Sequence, residues 1–467
     1  IEFGGPWDAG GVDGSNASAV IQAVIDQLTN GVPSEGNIVD CIGEIVIKDD
    51  LTLTKSIDLT CRAGLVIRGI GKGILRGVTL TVNHNDNAVF DLTGSASIKF
   101  ANLWIEVPSE YSPNTVFLLA RDNSKISAGY HEFENVEVRC MNNDTIGFYV
   151  YGSEIITWKG CYISTRNYGV FLTSNNKLDF TSDFKTIASG ALSTSVFRFY
   201  GCDFVGYNGG LNERIALEGI TGAYFYGCYS SGTKYAIKLF PETDDVKEVV
   251  IIGWRTESPL ITIDAQTSIR RPYYFKLIGV SAFVPDLTKL IDLNKANVFA
   301  RGWFIDGIRG VPGAPDVSIE FYGLLYSHIR LGGLGGVGES NNEPNLVIGD
   351  GGIYGSIVDM EDSADFSCSG SIEQSRISFR LSGGGTSNSG TAFDLADGSF
   401  IVHGLVGTPT TVVLTCLNST YDGVPVIVSW DEANTNSTHI AVDIYWANGT
   451  AITDPVIAVS WHAEYQP

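Results

Sequence analysis

At 467 residues, 44% of them hydrophobic, the chain is long enough to bury a substantial core, and its 54 glycines let it turn often. Its 52 acidic and 30 basic side chains give a formal net charge of -22, a balance that disfavours nucleic acid, anionic membrane and polyanion partners. No apolar run reaches the length of a membrane-spanning helix and no signal peptide is expected, while a start at Ile1 rather than Met reads as a processed or trimmed product.

The first predicted elements are an aspartate-glycine turn, Trp7 to Gly14, and a helix capped by Ser18. Val20, Ile21, Val24, Ile25 and Leu28 follow a helical period, so residues 1–37 read as a cap over an open first turn. Short alternating runs then begin at Ile38-Val39 and continue through Ile45 to Ile47, Leu51 to Leu53, Ile57 to Leu59 and Leu65 to Ile67.

A fixed period becomes visible further on. Gly201, Gly227, Gly253 and Gly279 are each 26 residues apart, each preceded by bulky apolar or aromatic residues, and Phe304 to Gly307 continues the series with a small slip. Between them lies a second set of runs: Ile215 to Leu217, Ala236 to Phe240, Leu260 to Ile263 and Leu290 to Leu293. Several short strands per period, without helices, describe one turn of a right-handed parallel β-helix, and the dense leucine spacing of leucine-rich repeats is absent. The expected fold is therefore all-β, with the solenoid over 38–381 and less regular beyond 310.

The opening order of turn, helix, Gly43-Glu-Ile-Val-Ile-Lys48 and Leu65-Val-Ile-Arg-Gly-Ile-Gly71 resembles pectate-lyase-like β-helix proteins, particularly tailspikes and surface proteins of bacterial and archaeal viruses. Phe148 to Glu154, Trp158 to Cys161 and Gly169 to Asn176 are similar to turns in that group. The resemblance covers roughly residues 1 to 310. It implies an extracellular, virion-surface or cell-surface protein that recognises a glycan, with assembly as a homo-oligomer, a trimer by family pattern.

Residues 382–390, rich in glycine and serine, read as a linker. Short strands at close spacing over 391–467 then predict a small β-sandwich. Its His403-Gly-Leu, Thr408-Pro and Trp461-His-Ala-Glu elements resemble a C-terminal module of viral and archaeal β-helix proteins, which in relatives terminates the solenoid or assembles the oligomer.

Cys161, Cys202 and Cys228 share a column with Trp254 and Val280, which predicts buried, unpaired thiols; Cys41 and Cys61 could meet on neighbouring turns. No paired CxxC spacing is present, so no metal site is expected. Glycosylation sequons occur at Asn16, Asn143, Asn418, Asn436 and Asn448.

For chemistry, aromatic side chains offer platforms to sugar faces, and Tyr207, Tyr229, Tyr273 and Tyr274 are the carbohydrate-binding candidates, though core packing explains many aromatics equally well. Glycoside hydrolysis needs two carboxylates at limited separation. Glu213 and Glu218 flank one strand and Glu242 and Asp244 follow the strand one turn on, which makes them the catalytic candidates, against a simple reading as solvated surface acids. A lyase would require a base beside an arginine or Ca²⁺, and Arg270-Arg271 with Tyr273 is the nearest such cluster; otherwise no cofactor is expected. Asn-Thr-Asp, Gly-His-Gly and Arg-Ile-Lys motifs are missing, and His131 and His403 are isolated. Three classes remain: a glycan-binding tailspike or adhesin, a polysaccharide depolymerase, and a glycosylated structural subunit of a filament or surface layer.

Overall fold

The structure is a computed structural model that describes residues 16–464 apart from 71–76, 125–127, 208–213, 233, 241–244, 264–271, 284–287, 295–296, 311–316, 332–344, 362–365, 381–386, 403–407, 418–419, 422–423, 437–438 and 454–456. It is all-β, a β-solenoid of about 10 turns with one short N-terminal helix and further sheets at the C-terminus. The chain divides into two compact units, one of Ile1–Lys276, Val280–Pro285 and Leu290–Ala296, the other of Leu277–Gly279, Asp286–Lys289 and Asn297–Pro467.

In the first unit each turn contributes one strand to each of three parallel sheets. The first sheet includes Thr115–Ala120, Ile146–Tyr151, Val170–Thr173 and Ile215–Glu218, paired in register as Phe117 with Phe148, Phe148 with Val170 and Val170 with Ile215. The second includes Glu132–Glu134, Glu154–Lys159, Ser195–Tyr200 and Thr221–Tyr226. The third includes Leu103–Val107, Glu137–Cys140, Tyr162–Thr165, Asp203–Gly206 and Tyr229–Ser231. Alternation along each strand sends one side chain inward and the next outward, so every inward position stacks on its equivalent one turn away.

Those stacks are the core. Phe100, Phe133, Trp158, Phe199 and Phe225 form one continuous ladder of near-parallel rings, with Phe117 and Phe148 meeting it edge-on from the first sheet. All are fully buried. Cys161, Cys202 and Cys228 are buried free thiols beside Trp254 and Val280 in the expected column, and burial, then a hydrogen bond with Cys202, holds the Cys161 thiol well above its ordinary range. Cys41 and Cys61 are buried thiols as well, with no bond between them.

The 26-residue spacing has a backbone cause. Gly201, Gly227 and Gly253 adopt left-handed φ of 56°, 61° and 66° at the corner between the second and third sheets. There the N–H of Gly201 donates to Tyr226 O and that of Gly227 to Ile252 O, both at 2.8 Å, one turn on. Earlier turns use asparagine, the other residue that tolerates this conformation: Asn102 and Asn135 have φ of 54° and 51°, and Asn135 Nδ2 donates to Asn102 Oδ1 at 3.2 Å.

The helix spans Ala17–Leu28 and buries Ile21, Val24 and Ile25. Its N-cap is Asn16, whose Oδ1 accepts from Ala19 N at 3.2 Å, and not Ser18 as the sequence suggested. Ser18 is buried and ties the helix down instead, its Oγ accepting from the N–H groups of Thr54 and Lys55 at 2.8 and 3.2 Å.

The second unit continues with parallel strands from Phe299–Arg301 to Arg376–Arg380. Two antiparallel sheets follow, one of Ser387–Leu395, Ile457–Glu464 and Thr411–Cys416, the other of Ser399–Val402, His439–Trp446, Val424–Asp431 and Thr420–Tyr421. They share a core that includes Ile401, Ile440, Val442, Ile444, Val459 and Trp461. The stretch read as a linker is thus already a strand from Ser387, because Ile457–Glu464 supplies the hydrogen-bonding partner that composition cannot reveal.

Candidate functional face

The three sheets of the first unit treat their outward sides differently. On the first sheet that side is covered. Leu118, Tyr149, Tyr151 and Phe171 point outward into an apolar cluster completed by Phe180, Ile187 and Leu192 of the long connection 174–194. Polar ties fix this cover at its edge: Ser182 Oγ donates a short hydrogen bond to Asp91, and Asn87 N and Nδ2 donate to the Asp183 carboxylate at 3.0 and 2.6 Å.

Glu218 lies on this covered side. Its side chain is 1% exposed, with Thr173 Oγ1 donating to Oε2 at 2.6 Å and Lys177 Nζ 3.8 Å from Oε1, so the carboxylate is engaged inside the protein. Glu213, Glu242 and Asp244 lie outside the described residues, as do Arg270, Arg271, His403 and Asn418. His131 is buried, accepts from Ile98 N at 3.2 Å, and is pushed down to about 4 by desolvation, which makes it a neutral packing histidine.

The third sheet presents a different surface. Its outward column reads Trp104, Glu137, Tyr162, Asp203, Tyr229 and Arg255, one residue per turn in exact register pairing. All but the exposed Arg255 are half-buried. Aromatic rings alternate with charged groups, so adjacent rings are two turns apart, on the order of 10 Å. Arg139 lies 4.7 Å from the Trp104 ring centroid and donates to Glu137 at 3.0 Å, orienting both. Burial raises the Asp203 carboxyl. Burial likewise raises the Tyr229 hydroxyl, with Ser231 lowering it and Glu257 raising it further.

Of the four tyrosines singled out in the sequence, Tyr229 belongs to this column. Tyr207 follows a third-sheet strand, with the Arg166 guanidinium 5.6 Å from its ring centroid. Tyr273 and the exposed Tyr274 sit together on the second sheet, ring centroids 6.0 Å apart. The structure therefore does not gather the four at one place. Trp104, Glu137, Tyr162 and Asp203 were not singled out, yet a signal existed: each stands two residues after the left-handed Asn or Gly of its turn, Asn102, Asn135, Gly160 and Gly201.

Among the described residues no cluster of three or more histidine, cysteine or acidic side chains could hold a metal ion, and no helix is long and apolar enough to cross a membrane. Of the sequon asparagines, Asn143, Asn436 and Asn448 are exposed, and Asn16 is half-buried at its helix cap.

No protein-family model matches the sequence, and no curated protein matches it. Among solved structures the chain is similar to the tailspike of Escherichia coli bacteriophage HK620, solved with a pentasaccharide, at 10% identity over 100% of this chain and 91% of that one, TM-score 0.46. It is similar to Geobacillus virus E2 ORF18 at 11% identity over 94% and 75% of the two chains, TM-score 0.35. The A-module of the Azotobacter vinelandii mannuronan C-5 epimerase AlgE6 matches at 13% identity over 79% and 96%, TM-score 0.37.

Proposed function

We propose that this chain is a glycan-binding recognition protein of a virion or cell surface, of tailspike or adhesin type, and that it holds an extended polysaccharide along the outward face of the third sheet. The observation that carries this reading is the column from Trp104 to Arg255, in which rings and charged groups alternate once per turn. A linear polymer lying along the solenoid axis meets the same backbone environment at every turn. Rings separated by polar groups present apolar surface to the apolar faces of sugars, and Glu137, Asp203 and Arg255 supply hydrogen-bonding partners for hydroxyls. The net charge of -22 favours a neutral polysaccharide over a polyanionic one.

Cleavage of the bound polymer is a second reading, supported by Glu137 and Asp203 on either side of Tyr162, with burial raising Asp203 toward the protonated form a general acid needs. Screening the full chain against an array of surface polysaccharides, with a Trp104→Ala, Tyr229→Ala double variant alongside, tests the binding proposal. Loss of the signal in the variant is expected; an equal signal from both proteins counts against this face. Release of reducing ends from the captured polysaccharide, abolished by Asp203→Asn, is the outcome expected of the cleavage reading.

A further inference from the structure

We propose that the outward face of the four-stranded sheet near the C-terminus is a docking surface for a basic segment of a partner protein, one in which lysine or arginine alternates with apolar side chains. The first ground is composition. Between Ser387 and Pro467 the chain carries eight acidic residues and no lysine or arginine, although it has 30 basic side chains elsewhere. The module therefore holds no strong cation of its own to neutralise its carboxylates.

The second ground is what the sheet turns outward. Val428, Trp430, Ile440, Val442 and Ile444 pack into the shared core, so the alternate residues of the same strands face away from it. Register sets Phe400 and Asp431 on either side of Ala441, Asp443 beside Ser429, and Tyr445 beside Ile427. Phe400 is 58% and Ile427 52% exposed, an unusual degree for large apolar side chains in the middle of strands. Among them stand three carboxylates. Asn434 Nδ2 donates to Asp431 Oδ2 at 2.5 Å and holds that carboxyl below its ordinary range, so it stays charged. Asp397 accepts from Ile444 N at 3.0 Å. Burial, then the charges of Asp431 and Asp397, raises the Asp443 carboxyl, so the three share one electrostatic neighbourhood.

Exposed apolar side chains set among carboxylates that the module cannot neutralise select their occupant. A second copy of this face brings like charges together, and an anionic polymer is repelled for the same reason. A neutral sugar gains nothing from the negative charge, and Ile427 offers it no flat ring. A basic strand or loop answers both features. Its apolar side chains cover Phe400, Ile427 and the Tyr445 ring, and its cations reach Asp431 and Asp443. Such a contact attaches this protein to a partner and does not depend on the glycan-binding column.

The test is the fluorescence anisotropy of a labelled peptide of about twelve residues alternating lysine and valine, long enough to cross the sheet, titrated with the full chain at low salt. Binding is expected, weakened at least tenfold by Asp443→Lys and, separately, by Phe400→Ala with Ile427→Ala, each variant keeping the wild-type far-ultraviolet circular dichroism. Glu110→Lys makes the same charge change at an exposed position of the first unit and is expected to bind like wild type. Trp104→Ala with Tyr229→Ala is expected to do so as well, which keeps failure of this proposal distinguishable from failure of the glycan-binding one. A wild type that does not bind the peptide overturns the proposal. So does equal weakening by Glu110→Lys and Asp443→Lys, or equally tight binding of a peptide alternating lysine and serine, either of which would mean that charge alone draws the peptide in. Loss of polysaccharide binding in the Phe400→Ala, Ile427→Ala variant would assign the face to a sugar and overturns it too.

Discussion

Trp158 lies flat on Phe199, with ring centroids 4.3 Å apart and planes 7° from parallel, at the centre of the ring ladder that fills the solenoid. Its Nε1 is buried without an acceptor, so the residue contributes packing and carries the cost of an unmet hydrogen bond. Trp158→Ala is expected to destabilise the fold by about 3–5 kcal/mol. Trp158→Phe keeps a ring in the ladder and removes the orphan donor, so its cost should stay below about 1.5 kcal/mol. Urea unfolding of both variants checks this, and equal losses would show that packing is not what Trp158 supplies.

Much of this architecture was legible because the solenoid repeats its constraints. The corner needs a left-handed residue at each turn, so the glycines of 201, 227 and 253 announce the period, and the stacked core makes the preceding rings recur. The binding face was not legible in the same way. Trp104, Glu137, Tyr162, Asp203 and Tyr229 are separated by 33, 25, 41 and 26 residues, because connections such as 174–194 are inserted between turns. Register, not spacing, brings them into line. Glu218 illustrates the converse: the sequence shows an acid beside a strand, but only packing shows Thr173 and Lys177 closing over it.

The cap helix yields a second prediction. Asn16 Oδ1 accepts from Ala19 N and also from Thr54 Oγ1 at 3.1 Å, so one side chain satisfies a helix donor and ties the helix to the first turn. Asn16→Ala should cost about 1 kcal/mol and Asn16→Asp should cost little. Thermal unfolding distinguishes them, and an unperturbed alanine variant would show that the cap contributes nothing.

Asp91 predicts a pH dependence. Burial, the dominant influence, pushes its carboxyl from 3.8 up to about 6 despite hydrogen bonds from Ser182 and Thr93. The folded state therefore binds the proton more tightly than the unfolded chain. Stability from this group is fully present below 3.8 and is lost as pH rises through about 6. Asp91→Asn should accordingly stabilise the protein near neutral pH by roughly 2–3 kcal/mol, and the gain should vanish in acid. Denaturant midpoints measured across that window decide; a gain independent of pH would locate the effect elsewhere.

A fourth prediction concerns strain. Ile155 and Val196 adopt left-handed φ of 56° and 64°, a region that β-branched side chains rarely enter. Both stand at the start of second-sheet strands, in the column that continues to Gly222 at φ 82°. Val196→Asn should relieve part of a cost of about 1–2 kcal/mol and raise the melting temperature. A lower melting temperature would mean that Val196 packing outweighs its backbone strain.

The central claim is that the third-sheet column binds the glycan, and the most direct measurement is calorimetric titration of the polysaccharide captured by the array. Each ring removed from the column should weaken binding roughly tenfold, so Trp104→Ala with Tyr229→Ala should lose about a hundredfold, while Tyr200→Glu with Tyr226→Glu titrates like wild type. An affinity unchanged by loss of Trp104 and Tyr229 would contradict the account.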